Sequence, residues 1–209
     1  MDGVLLVERN YVYNALDLAS GAGHWSVSDP GADSSEYPGG VIATHHLFLI
    51  YDGGVLEALH TNNNQVVWSQ KELNLIQGVW MANDGSLIYL VILNSVDGSP
   101  PEQALVALET QSGTVRWTFE PLDQESFVRL PADGPQYSRH TLFVALCLSD
   151  SQAVCSRTRL YALNGDTGGV RWKIEGMQIA SIRVSLDGDV LLLQVRSSPW
   201  MDLTGRFRA

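Results

Sequence analysis

Leu160-Tyr-Ala-Leu-Asn-Gly-Asp-Thr-Gly-Gly-Val-Arg-Trp-Lys-Ile174 reads as two short strands around a tight turn. Ala162 and Trp172 lie ten residues apart, with Thr167 midway and Gly168 next to it. An antiparallel hairpin folded there sets Ala162 opposite Trp172 on one face, a small residue beside a large one. Gly168 suits the left-handed backbone that a three-residue hairpin loop demands.

The stretch recurs. Ala15 precedes Trp25, Ala58 precedes Trp68, Ala107 precedes Trp117 and Ala162 precedes Trp172, each by ten residues and each with a Leu after the Ala. The turn position holds Gly21, Asn64, Gly113 and Gly168, and Asn is the residue that best follows Gly at positive φ. Successive copies start 43, 49 and 55 residues apart. Constant inner spacing with variable outer spacing describes one structural unit used four times, separated by loops of different length.

At these residues the chain resembles the quinoprotein-type β-propellers, or PQQ-like repeats, whose signature is Ala-x-Asp-x-x-x-Gly-x-x-x-Trp. Ala15 to Trp25 matches it in full, with Asp17 and Gly21. Ala162 to Trp172 has Asn164 in place of the Asp, Ala107 to Trp117 has Glu109, and Ala58 to Trp68 has His60 and Asn64. The resemblance implies an all-β fold built from four-stranded antiparallel blades. It also implies a belt in which Trp25, Trp68, Trp117 and Trp172 tie neighbouring blades together. It does not imply one function: the family holds pyrroloquinoline-quinone dehydrogenases and also non-enzymatic propellers, such as the lipoprotein of the outer-membrane β-barrel assembly machinery. The family is mostly extracytoplasmic.

The chain has 209 residues, 45% of them apolar, which suffices for a sizeable core. Its formal net charge of −10 disfavours nucleic acid and anionic membranes, whose phosphates it would repel. Apolar runs such as Leu142 to Leu148 are far too short to span a bilayer. Met1-Asp2-Gly3 lacks the basic region of a signal peptide. Cys147 and Cys155 flank a loop centred on Ser151. Paired strands there would bring the thiols within disulfide reach, and two inert buried thiols are the alternative.

Read in order, the strand and turn signals predict a single domain over residues 1–209, with blades at about 1–28, 41–71, 76–120 and 127–175 and a partial blade at 179–196. No stretch holds a 3.6-residue apolar period for a helix. Asp52-Gly53-Gly54, Asn83 to Ser86, Asp133-Gly134 and Asp187-Gly188 read as turns, and residues 29–40 and 131–138 as loops. The ends of the chain either close on each other, with Ile182 to Val195 joining the sheet begun by Val4 to Val7, or belong to an arc of a seven- or eight-bladed ring. The second reading is preferred, because the chain begins one strand into a blade and four-bladed rings are uncommon.

A quinone dehydrogenase, by resemblance, needs a catalytic Asp and a calcium held by Glu and Asn oxygens. No Asp-x-Asn-x-Asp calcium loop is present. Asp17, Glu109 and Asn164 fall at equivalent positions, which predicts turn hydrogen bonding rather than catalysis. The five histidines spell no zinc site, Gly-x-Ser-x-Gly is absent, and Gly168-Gly169 lies in a hairpin rather than a phosphate loop. The expectation is therefore no catalytic or metal residue in this chain and no assigned cofactor-binding residue, with pyrroloquinoline quinone and calcium entering by resemblance alone. Trp80 is read as core, and Trp200 is assigned to neither core nor site. Tyr37, Tyr137 and Arg139 are the candidate contacts for a protein partner or small ligand, since they are read in loops between blades. The leading function is a non-enzymatic scaffold, the alternative part of a quinoprotein-like dehydrogenase or sensor with catalytic residues elsewhere. Self-association would follow from an open ring.

Overall fold

In the computed structural model the structure describes residues 3–29, 39–44, 46–71, 73, 75–82, 84–94, 102–122, 125–127, 135–148, 157–177, 179–184 and 191–195. Every regular element among them is a β-strand. The chain divides into two compact units, Met1–Glu120 and Pro121–Ala209.

The first unit holds three antiparallel sheets. Strands β1 (Val4–Arg9), β2 (Val12–Asp17) and β3 (Gly23–Ser28) form the first. The second contains β4 (Gly40–Ala43), β5 (Leu47–Asp52), β6 (Val55–His60) and β7 (Val66–Gln70). The third contains β8 (Leu75–Met81), β9 (Leu87–Asn94), β10 (Glu102–Glu109) and β11 (Val115–Phe119). Each sheet is a meander in chain order.

The strand β5 is buried along both faces, which explains its unbroken Leu-Phe-Leu-Ile run. Leu49 joins Leu56, Ile88 and Leu90 in a cluster between the second and third sheets. Its neighbour Ile50 points the other way, into a cluster with Tyr13 and Leu59 where Leu6 and Val27 of the first sheet also pack. Opposite faces of one strand thus serve two neighbouring blades.

In the second unit, β14 (Thr141–Leu148), β15 (Arg157–Asn164) and β16 (Val170–Met177) form a meander. Its innermost position is shared by two short strands. β12 (Glu125–Phe127) pairs with one end of β14 and β13 (Gln136–Ser138) with the other. The hairpin β17 (Ile179–Val184) and β18 (Leu191–Val195) forms a separate two-stranded sheet. Ile182 packs with Ala145 and Leu160 of the preceding sheet.

All four repeated hairpins have the same register. The pairs are Ala15 with Trp25, Ala58 with Trp68, Ala107 with Trp117 and Ala162 with Trp172. Each Ala also faces a large residue on its other side: Leu6, Leu49, Tyr89 and Phe143 respectively. An Ala between two large neighbours lets them meet above it, and all four are fully buried. The Tyr89 and Trp117 rings lie 5.8 Å apart across Ala107, and the Phe143 and Trp172 rings 5.8 Å apart across Ala162.

The loop differs from the three-residue expectation. A bulge follows the Ala in every copy, so Leu163 pairs with Val170 rather than with Arg171. The extra residue recentres the turn, and four residues, Gly165 to Gly168, span it. Gly168 N–H donates to Asn164 C=O at 2.8 Å, and Asn164 N–H donates to Gly169 C=O at 2.7 Å. Gly21, Asn64, Gly113 and Gly168 have φ of 71°, 52°, 68° and 71°, as their positions predict.

Candidate functional site

The tryptophans of the first two repeats sit at seams between sheets. Trp25 Nε1–H donates to Thr61 C=O of the next sheet at 3.0 Å, and Trp68 Nε1–H donates to Thr110 C=O at 2.9 Å. Thr61 and Thr110 both stand three residues after the paired Ala of their hairpin. They begin the turn, where backbone carbonyls are released from the strand ladder. At Gly113 the Trp68 ring lies against the turn itself: a Cβ there would stand 2.6 Å from the indole. Gln70 Nε2–H adds a bond to Gly113 C=O at 2.9 Å, and Asn64 Nδ2–H reaches back to Ser26 C=O at 3.2 Å. The other two repeats differ in exposure. Trp117 is 8% exposed and Trp172 is 40% exposed.

The polar residue of the repeat turns inward on its own loop. Asp17 Oδ1 accepts from Ser20 N–H at 2.7 Å and Ser20 Oγ–H at 2.5 Å. These two bonds hold its carboxyl below the usual carboxylate range. Asn164 Oδ1 accepts from Asp166 N–H at 2.9 Å and Thr167 N–H at 3.2 Å. Glu109 takes Ser112 and Arg116. The three side chains sit in separate turns and do not converge. Among the described residues no three His, Cys, Asp or Glu side chains are grouped to hold a metal.

Two buried polar groups lie elsewhere. Glu125, its side chain 1% exposed, receives Arg159 Nη1–H, Tyr161 O–H at 3.0 Å to each carboxylate oxygen, and Leu122 N–H at 3.0 Å. Arg159 Nη2 also bridges to half-exposed Glu175 at 2.7 Å. Burial pushes the Tyr161 phenol up, against the opposing pull of Arg159. One guanidinium lies between two carboxylates, with its Nε buried and without a hydrogen-bond partner, and the paired charges fix the register of β12, β15 and β16. In the first unit, Tyr13 is buried beside Asp29 and Asp52. Burial first, then the charges of Asp29, Glu8 and Asp52 and the bond to Asp29, push its phenol far above the ordinary value.

Of the candidate contacts, Tyr137 lies in strand β13 opposite Leu142 rather than in a loop. A three-residue polar strand carries too little pattern to announce itself. Arg139 lies in the two-residue turn that follows, at φ 46°, with His140 at φ 58° beside it. His140 Nδ1 stands 3.1 Å from Asp166. Tyr37, Trp200 and Cys155 lie outside the described residues. Cys147 is disulfide-bonded, and its expected partner is the undescribed Cys155. Trp80 is half-buried and folds back over Gly78.

The four hairpins of identical register, the first two of them tied to the next sheet by indole-to-carbonyl bonds, agree with a family comparison. The family model described as outer membrane protein assembly factor BamB matches residues 8–201. The chain belongs to this PQQ-like repeat family. No curated protein sequence is significantly similar to it. Among solved structures, dihydro-heme d1 dehydrogenase NirN superposes with a TM-score of 0.63 at 17% identity, covering 92% of this chain and 39% of that one. A quinohemoprotein alcohol dehydrogenase of Pseudomonas putida HK5 gives a TM-score of 0.55 at 19% identity, covering 83% of this chain and 33% of that one. The hydrazine synthase of Kuenenia stuttgartiensis gives 0.56 at 12%, covering 96% and 55%. The chain thus spans 33% to 55% of these structures' own lengths, and the likeness at such identities is one of fold.

The PQQ-like repeat accounts for the turns and tryptophans but not for the Glu125 network. Glu125, Arg159 and Tyr161 are 34 and 36 residues apart and come together through strand pairing. No spacing rule links them. The available signal was an Arg in an apolar strand, Arg159 before Leu160, which requires a buried partner.

Proposed function

We propose that this PQQ-like repeat chain is a non-enzymatic binding scaffold. One observation carries the reading: Asp17, Glu109 and Asn164, the repeat's polar residues, each spend their oxygens on their own turn. They are therefore unsuited to hold a quinone and its calcium together, and the same positions in successive blades serve the scaffold. What the repeats offer outward is apolar. Val66, Val115 and Val170, each two residues before its Trp, are all about half exposed. The family description as an assembly factor, said of BamB, supports a protein partner for this chain too. That description and the Cys147 disulfide favour an extracytoplasmic location, since disulfides persist in oxidising compartments.

A second reading rests on the fold likeness to two dehydrogenases of which this chain spans 39% and 33%. On it, the chain is part of a larger redox protein whose reactive groups lie elsewhere. Titration with pyrroloquinoline quinone and calcium, read by tryptophan quenching and by reduction of an artificial dye with an alcohol, tests the scaffold reading. The expected result is neither quenching nor dye reduction above the protein-free blank. Calcium-dependent quenching accompanied by dye reduction would overturn it.

A further inference from the structure

We propose that Asn164 is a deamidation site held in check by the fold, with the carbonyl of His140 as its latch. Asn164 is the one asparagine of the chain that precedes a glycine. The reaction open to such a pair is intramolecular. The backbone nitrogen of Gly165 attacks Cγ of Asn164, the Cγ–Nδ2 bond breaks, and ammonia leaves with the proton that the attacking nitrogen gives up. The cyclic imide then takes up one water and opens to aspartate or isoaspartate. Water is the only co-reactant. Glycine favours the ring closure, since it brings no Cβ against the forming ring.

The repeat turn both assists and restrains this chemistry. Asn164 Oδ1 accepts from Asp166 N–H at 2.9 Å and Thr167 N–H at 3.2 Å. Two backbone donors on that oxygen stabilise the negative charge it gains during attack. The nucleophile is the group held back. Gly165 is buried, and its N–H donates to His140 C=O at 2.8 Å. That bond must open before the nitrogen can lose its proton and turn on Cγ. His140 lies in the two-residue turn between β13 and β14, where Arg139 and His140 hold φ of 46° and 58°. L-residues enter this region at a cost, so the turn is a point where the blade opens locally. His140 Nδ1, 3.1 Å from Asp166, ties the two turns together a second time.

One product is a residue the repeat already uses. Asp17 stands in the first hairpin where Asn164 stands in the fourth, and its Oδ1 likewise accepts from the N–H three residues on. The backbone bonds match as well. Asp17 N–H donates to Ala22 C=O and Gly21 N–H to Asp17 C=O, as Asn164 N–H does to Gly169 C=O and Gly168 N–H to Asn164 C=O. Aspartate at this position therefore keeps the turn. Isoaspartate lengthens the backbone by one carbon and breaks these bonds.

The test incubates the full 209-residue chain in mildly alkaline buffer, folded and in guanidinium chloride, and maps its peptides by mass spectrometry over time. In denaturant, Asn164 should deamidate ahead of every other asparagine. In the folded chain it should react at least about tenfold more slowly, the factor that an opening free energy of about 1.4 kcal/mol supplies. His140→Val sets a β-branched residue at positive φ. It should speed the reaction in the folded chain and leave the rate in denaturant unchanged. Circular dichroism shows whether that variant is folded, and Arg139→Val, which loosens the same turn, replaces it if it is not. Asn164→Asp should melt as the wild type does. Equal rates for the folded and denatured wild type would overturn the proposal, as would another asparagine reacting first in denaturant. A folded turn variant that deamidates no faster than the wild type would overturn the role of His140. None of these outcomes depends on quinone binding, so the scaffold reading is tested separately.

Discussion

At the residue scale, the four tryptophans are chemically equal and physically unequal. Trp117 is buried against Tyr89 across Ala107. Trp172 keeps the equivalent ring contact with Phe143 but leaves 40% of its surface in water. Removing a buried indole forfeits its transfer free energy and leaves a cavity, so Trp117→Ala should destabilise by about 3–5 kcal/mol. Trp172→Ala should lose about 1–2 kcal/mol, since the cavity opens to solvent. Urea denaturation followed by circular dichroism measures both. Equal losses would mean that the difference in burial between the two rings plays no part in stability. Each side chain's identity and strand partner were legible from the ten-residue spacing. Its exposure was not, because exposure depends on what the next sheet brings to it.

At the element scale, the hairpin turn carries two separable requirements. One is backbone: Gly21 and Gly113 both have positive φ, which L-residues enter at about 1–2 kcal/mol. The other is space, and it applies to Gly113 alone, where the Trp68 ring lies 2.6 Å from a would-be Cβ. Gly21→Ala should therefore cost about 1–2 kcal/mol, and Gly113→Ala should cost that plus about 1–3 kcal/mol of overpacking. Thermal unfolding of the two variants, with matched calorimetric enthalpies, reads the difference. The glycine's conformation was legible from its place after the Ala. The bulge was not, because one inserted residue such as Arg171 leaves the alternation on either side intact. The split innermost strand of the fourth blade escaped for a similar reason. β12 and β13 have three residues each, fewer than a period-two pattern needs.

For the whole molecule, pH dependence reports on buried phenols. Tyr13, Tyr51 and Tyr161 all have their ionisation pushed up, first by burial. A raised pKa in the folded state means that the native protein holds a proton the unfolded chain releases. The resulting stability is fully present below the ordinary phenol value of 10.0 and is lost as pH rises above it. Unfolding free energy should thus be flat toward neutral pH and fall steeply in alkali. Denaturant titrations on both sides of that value check the slope, and phenolate absorbance should appear together with unfolding rather than before it. Tyr13→Phe should flatten part of the slope. A native chain whose tyrosines all ionise at the ordinary value would contradict the burial of Tyr13.

Sequence alone determined the repeat, the antiparallel hairpins, the pairing of each Ala with its Trp, and the positive-φ residue of each repeat turn. These features are local: they lie within one hairpin, where spacing along the chain sets distance in space. Tertiary structure decided which tryptophan meets a carbonyl of the next blade and which faces water. It also decided that Ile50 and Leu49 serve different sheets, and that Glu125, Arg159 and Tyr161 share one buried network. Those contacts join residues in different strands or blades. Their geometry follows from sheet register and stacking, which loops of unequal length leave unmarked in the sequence.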